Sequence, residues 1–190
     1  MENPTYPWRV PRELGEVLAD ARAVFASLGV IEFHGGCTDA QIANAEDRMQ
    51  RPLPGEVREF YRVMRPTELF ASGTRKEFGF YLIDSAELQW QSMQGAEPPQ
   101  DWTEATGLAL GQSAFGDPFW WVEGHRSLPN GSIVLLDHDG GLGGDVMFVH
   151  FARSFREFIA KVTYFKGLYS SVQDPLFQSE YVELNPSAKR

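Results

Sequence analysis

The stretch Thr38-Asp39-Ala40-Gln41-Ile42-Ala43-Asn44-Ala45-Glu46-Asp47-Arg48-Met49, followed by Gln50-Arg51-Pro52-Leu53-Pro54 and Gly55-Glu56-Val57-Arg58-Glu59-Phe60-Tyr61-Arg62-Val63-Met64, decides how the chain folds. Thr38 and Gln41 have the spacing of a capping box, in which each side chain takes a backbone N–H that the first helical turn leaves unpaired. Ile42, Ala45 and Met49 then form one apolar stripe. Pro52 and Pro54 lack the N–H that a helix interior needs, so this helix stops before them. A second helix begins there, because Val57, Phe60, Tyr61 and Met64 fall at i, i+3, i+4 and i+7 before Pro66. Helices apolar on a single face need another layer to pack against.

Upstream, Leu14, Val17, Leu18, Ala21, Phe25 and Leu28 keep helical spacing between Pro11 and Gly29, so 11 to 29 reads as a helix. Downstream the period changes. Aromatic and β-branched runs at 78 to 83, 108 to 110, 119 to 122, 132 to 136 and 146 to 151 are separated by Gly, Asn and Asp, and they read as strands. Between the first two, Ser85 to Met93 reads as a helix and Gly95 to Gln100 as a loop. Ser154 and Glu157 repeat the capping spacing and open a helix with Phe155, Phe158, Ile159, Val162 and Phe165 inward and Gly167 at its end. Residues 171 to 190 are polar, with Pro175 and Pro186, and read as a loosely docked tail.

Strands joined by short turns imply an antiparallel sheet, since parallel neighbours need long crossovers. The expected fold class is therefore α+β: a single domain over 1–170, mostly antiparallel twisted sheet flanked by N-terminal helices and a C-terminal helix, then the tail 171–190. A chain of 190 residues buries about 70% of its unfolded surface, enough for a core without disulfides or metal. The one cysteine, Cys37, excludes an internal disulfide framework and a Cys-rich zinc module, and it suits a reducing compartment. No run approaches the roughly 18 apolar residues of a membrane helix, and the N-terminus lacks the apolar core of a signal peptide. The expectation is a soluble, cytoplasmic protein with no membrane partner.

With 17 basic and 26 acidic residues the net charge is −9, and the acid is concentrated in the middle. From Glu77 to Ala152 the only base is Arg126, against Glu77, Asp84, Glu87, Glu97, Asp101, Glu104, Asp117, Glu123, Asp137, Asp139 and Asp145. Such a region repels phosphate, which argues against direct nucleic-acid binding, and attracts a basic partner. The same acidity also keeps a protein soluble, and both readings stand.

Signals for catalysis are sparse. Asp137-His138-Asp139-Gly140-Gly141-Leu142-Gly143-Gly144-Asp145 suggests a metal site, but Gly141, Leu142 and Phe148 stand where an EF-hand needs an oxygen ligand, Gly and Glu. It reads instead as a glycine-rich connection between two strands. His125, His138 and His150 lack metal-ligand spacing, and Cys37 lacks a nucleophile signature. The pair Asp117 and Glu123 offers general acid/base chemistry, though acids this abundant pair by coincidence. No phosphate-binding loop, dinucleotide fingerprint or nucleophile elbow occurs, and no cofactor is expected. Trp90, Trp102, Trp120 and Trp121 read first as core. Trp120 and Trp121 are adjacent in a strand and so face opposite sides, which leaves one of them free to line a groove.

The run Thr38-x-x-Gln41-Ile42-x-x-x-Glu46, then Arg51-Pro52-Leu53-Pro54-x-x-Val57-x-x-Phe60-Tyr61, resembles the N-terminal helical motif of the SUKH superfamily, which includes the fungal cell-wall-assembly regulator and many bacterial immunity proteins. Gly116-Asp117 resembles that family's Gly-Asp turn. Ile133 to Asp137, Val146 to Val149 and Ser154-Phe155-x-x-Phe158-Ile159 resemble its closing strands and last helix. The family usually carries Asn-Gly soon after the Leu-Pro helix, whereas this chain has Arg65-Pro66-Thr67. The resemblance implies an α+β domain without catalysis, which in bacteria binds and neutralises a toxin delivered by a neighbouring cell.

The expected function is accordingly a non-enzymatic immunity protein that occludes the active site of a cognate toxin, such as a basic nuclease. The alternatives are a regulatory scaffold for an endogenous partner and a metal-dependent enzyme using Asp137, His138, Asp139 and Asp145. Asp117, Trp120, Glu123, Asp137, Asp139 and Asp145 are the expected contact residues, because acidic loops around an aromatic anchor combine steering with a hot spot.

Overall fold

A computed structural model of the chain describes residues 6–27, 35–65, 78–93, 105–113, 116–136, 148–166 and 174–186, the side chains of 25–27 and 78 excepted. A short 3-10 turn at Pro7–Arg9 precedes α1 (Leu14–Ser27), α2 (Asp39–Met49) and α3 (Gly55–Val63). The strands are β1 (Phe78–Phe80), β2 (Trp90–Ser92), β3 (Thr106–Ser113), β4 (Pro118–Glu123), β5 (Ser132–Leu136) and β6 (Phe148–Ala152). Two helices close the chain, α4 (Phe155–Tyr164) and α5 (Pro175–Leu184). The architecture is α+β.

Local signals in the sequence become local structure. Thr38 Oγ1 accepts the Gln41 N–H at 3.2 Å while Gln41 Oε1 accepts the Thr38 N–H at 2.9 Å, completing the capping box of α2. Gln50 turns left-handed at φ 54° and ends that helix, and Pro54 stands at the head of α3. Ser154 Oγ takes the Glu157 N–H at 3.1 Å at the start of α4.

Every strand pairing is antiparallel, in the order β1-β3-β4-β5-β6, with β2 pairing on β3 as well. A register shift lies between Ala109 and Gly111 of β3. Gly111 is required there, because a Cβ would sit 1.9 Å from the Gly79 carbonyl oxygen and 2.6 Å from the Phe119 ring. On the helical face Phe60 packs on Phe80 at 4.6 Å and Phe155 at 5.6 Å, and Phe119 meets Phe158 at 5.0 Å between ring centroids. These rings are buried, so α3 and α4 are fastened to the sheet by one aromatic cluster.

Two sequence expectations are corrected. Ser85 to Met93 is not a helix: residues 83–88 turn, and Trp90–Ser92 form β2 against β3. Arg48 of α2 reaches over and donates to the carbonyls of Ile83 and Leu88 at 3.2 and 3.3 Å, tying the two ends of that turn to α2. The loosely docked tail also gives way, to α5. Asp174 Oδ1 accepts the N–H groups of Leu176 and Phe177, Pro175 occupies the first turn, and Phe177, Glu180 and Tyr181 are buried. Pro175 is a helix-starting proline rather than a breaker, since the first turn has no use for its missing N–H.

Candidate interaction surface

Glu46, Arg51 and Pro52 lie where the chain turns from α2 toward α3. Glu46 Oε1 accepts the Leu53 N–H at 2.8 Å and the Arg58 guanidinium at 2.5 Å, which fixes the Pro-Leu-Pro connection. Arg51 is thereby aimed at the sheet. Its guanidinium pairs with Glu123 at the end of β4 and lies 3.8 Å from the ring centroid of Trp90 on β2. Trp90 in turn meets Trp121 of β4 edge-on, at 5.8 Å and 89°. A guanidinium between a carboxylate and an indole face keeps its charge while shedding water, and all four side chains are half-buried.

β4 distributes the expected contact residues. Phe119, Trp121 and Glu123 alternate onto the helical face, and Trp120 points the other way. Trp120 is 8% exposed, packs against Phe148 at 6.2 Å, and buries its Nε1–H without a hydrogen-bond partner among the described residues. Trp121 is the half-exposed member of the pair. Asp117 is 3% exposed and belongs to a turn: its N–H donates to Ser113 Oγ at 3.1 Å, the Ser113 hydroxyl donates to its Oδ2 at 3.0 Å, and Gly116 beside it has φ +87°. Glu123 lies at the opposite end of β4, about 20 Å away at strand rise. The structure thus does not bring Asp117 and Glu123 together.

Asp137, Asp139 and Asp145 lie outside the described residues, as do His138 and Trp102. The described residues that flank them, Leu136 and Phe148, pair with each other at the Asp117 end of the sheet, since Phe119 stands opposite Leu135. Among the described residues no three His, Cys, Asp or Glu side chains stand close enough to hold a metal. His125 Nδ1 accepts the N–H groups of Ser127 and Leu128 at 3.1 Å, a turn-holding role. The His150 ring bonds the Ala152 carbonyl at 3.0 Å, and burial holds its pKa well below the ordinary value, at about 4. Cys37 is buried, its N–H bonds the Tyr61 carbonyl at 2.7 Å, and burial pushes its thiol pKa up, away from the reactive thiolate.

Arg51 was legible in the sequence only as part of a helix-connecting motif, and Trp90 only as a core aromatic. What joins them is a separation of 39 positions that no local spacing records. No described helix is long and apolar enough to cross a membrane.

A family model described as SMI1 / KNR4 family (SUKH-1) matches residues 36–161, more than half of the chain, from just before α2 to within α4. No curated protein and no solved structure matches the chain.

Proposed function

The chain belongs to the SMI1/KNR4 (SUKH-1) family, and from that premise we propose that it is a non-enzymatic immunity protein that binds a cognate bacterial toxin and occludes its active site. Proteins of this family are generally non-catalytic immunity or regulatory proteins. The observation that carries the finer reading is the half-buried cluster of Arg51, Trp90, Trp121 and Glu123. Trp and Arg are the side chains that most often dominate binding energy, and here they stand prearranged, so little conformational entropy is lost on contact.

The acid-rich span from Glu77 to Ala152 supplies the charge that draws in a basic protein, of which a nuclease is one class. Within that surface we assign the anchor to Trp121 with Glu123, and long-range steering to Asp137, Asp139 and Asp145. Trp120 and Asp117 act as the packing and turn residues that hold β4 in shape. The protein is expected to work in the cytoplasm, where such a toxin arrives.

The test is capture of the partner from cells of the natural host on the immobilised full chain, mass spectrometry of what is retained, and assay of the captured protein with and without this chain. A basic protein whose activity on nucleic acid is suppressed supports the proposal. Retention of a protein with no harmful activity, or of one whose activity continues when bound, overturns toxin neutralisation in favour of a regulatory scaffold.

A further inference from the structure

The carboxylate at the end of β4 is only half used. Glu123 Oε1 accepts from the Arg51 guanidinium, whereas among the described residues Oε2 accepts no hydrogen bond, and the side chain is 28% exposed. Two indoles flank this carboxylate, and they differ in what they carry. Trp90 holds the Arg51 guanidinium 3.8 Å from its ring centroid. Trp121 precedes Glu123 by two positions on the same face of the strand, about 7 Å along it, and among the described residues no cation lies on its ring.

Trp121 is nonetheless held in place. Trp90 meets it edge-on at 5.8 Å, and the backbone of Gly131 lies behind it, where a Cβ would stand 3.4 Å from the indole Nε1. Gly131 has φ +94°, and its N–H donates to the Val122 carbonyl at 2.8 Å, so this support belongs to the β4–β5 hairpin. The charge around the site also leaves room for a base. Asp47 is exposed, has no ion pair among the described residues, and lines a depression together with Arg51. Arg51 therefore has two carboxylates near it, Asp47 and Glu123, for one positive charge.

We propose that the open part of Trp121 and the Oε2 atom of Glu123 form a seat for one arginine side chain of the partner. This rests on the reading of the acid-rich face as the partner surface and names the group which that face receives. The partner's guanidinium repeats on Trp121 and Oε2 what Arg51 does on Trp90 and Oε1, and Arg51 keeps its place. An acidic group would be repelled by Glu123, and an apolar one would cover Oε2 and leave it unpaired. Between the two bases the indole decides. A guanidinium lies flat on an aromatic face, sheds water readily and presents its donors in a rigid fork, whereas an ammonium keeps its hydration.

The test follows the indole N–H signals of Trp90 and Trp121 by NMR on the full chain, titrated at physiological salt with hexa-arginine and with hexalysine. The two peptides carry equal charge. Hexa-arginine is expected to shift both indole signals at about a fivefold lower concentration than hexalysine, the preference that stacking and forked bonding supply. Equal concentrations for the two peptides overturn the proposal, as do shifts that spare both indoles, and this comparison needs no variant to fold. Glu123→Gln keeps the side-chain shape and is expected to abolish the arginine preference, whereas Glu16→Gln on α1 removes the same charge elsewhere and is expected to leave it intact. A preference that survives Glu123→Gln in the folded variant, or that Glu16→Gln abolishes as well, shows a response to net charge and overturns the seat. No toxin enters this experiment. An absent arginine preference therefore leaves toxin neutralisation standing with another contact chemistry, and a captured partner that proves harmless leaves the seat standing.

Discussion

Lys161 on α4 and Glu180 on α5 face each other in an ion pair with side chains 2% and 0% exposed. Lys161 Nζ also donates to the Phe151 carbonyl at 3.0 Å and lies 4.3 and 4.7 Å from the rings of Phe151 and Phe177. Glu180 has further partners in Trp8 Nε1 and, at 2.9 Å, Arg9 Nε. Burial lowers the Lys161 pKa, and the carboxylate of Glu180 opposes that shift. The pair joins the N-terminal turn, α4 and α5 at one point.

The two halves of this pair are unequal, which fixes an order of effects. Glu180→Leu strands a buried ammonium and is expected to cost about 3 to 5 kcal/mol in denaturant unfolding. Lys161→Met leaves Glu180 with Trp8 and Arg9 and is expected to cost less. The reverse order would show that Lys161 is held by its carbonyl and ring contacts rather than by Glu180.

Phe60 is 1% exposed and touches Phe80 and Phe155, so its ring bridges α3, β1 and α4. Phe60→Ala is expected to destabilise the fold by about 3 to 5 kcal/mol through lost transfer energy and the cavity left behind. Thermal melts check this, and a melting temperature within about a degree of the parent protein's would refute the bridging role.

His150 makes stability depend on pH. Its folded pKa is about 4 against an ordinary 6.5, because burial, with Arg153 and Lys161 nearby, disfavours the imidazolium. The unfolded chain therefore binds more protons at this site between those values, and stability falls as pH drops from about 6.5 toward about 4. At 1.36 kcal/mol per unit this site contributes about 3 kcal/mol at most. The carboxyl of Glu157, held above its usual range by burial, works in the opposite sense near its own pKa. The discriminating measurement is the difference between the parent protein and His150→Asn in urea titrations at several pH values. Parallel curves across that window would rule the imidazole out as the cause.

Binding kinetics separate anchor from steering charge. Against the captured partner, Trp121→Ala is expected to raise the off-rate, with a loss of about 2 kcal/mol or more. Asp137→Lys with Asp139→Lys is expected to lower the on-rate and flatten its salt dependence while leaving the melting temperature nearly unchanged, since steering charges act over about 8 Å at physiological salt. Surface-immobilised binding at several salt concentrations reads both. An unaltered on-rate in the double variant would assign the acids of that connection to solubility alone.

Much of the fold was written in short-range pattern. The capping box at Thr38 and Gln41, the stripe of Val57, Phe60 and Tyr61, and the strand runs at 119 to 122 and 132 to 136 each need only neighbours within a turn or a pleat, so periodicity reads them directly. Periodicity misread Ser85 to Met93, because the groups that settle that segment are Arg48 of α2 and the backbone of β3, far away in sequence. The same limit applies to function. The sequence determined that the middle of the chain is acidic and that Trp120 and Trp121 face opposite ways. Only the tertiary structure decided that Trp121 is the half-exposed one, that Arg51 reaches Glu123 and Trp90, and that Asp117 and Glu123 lie at opposite ends of β4. It likewise decided that Asn185 takes the His150 N–H and that Glu180 meets Lys161. A side chain's chemistry belongs to its residue, but its partner and its burial depend on how distant segments pack, and those contacts form only when the entropy of closing the long loops between them is outweighed by the core they share.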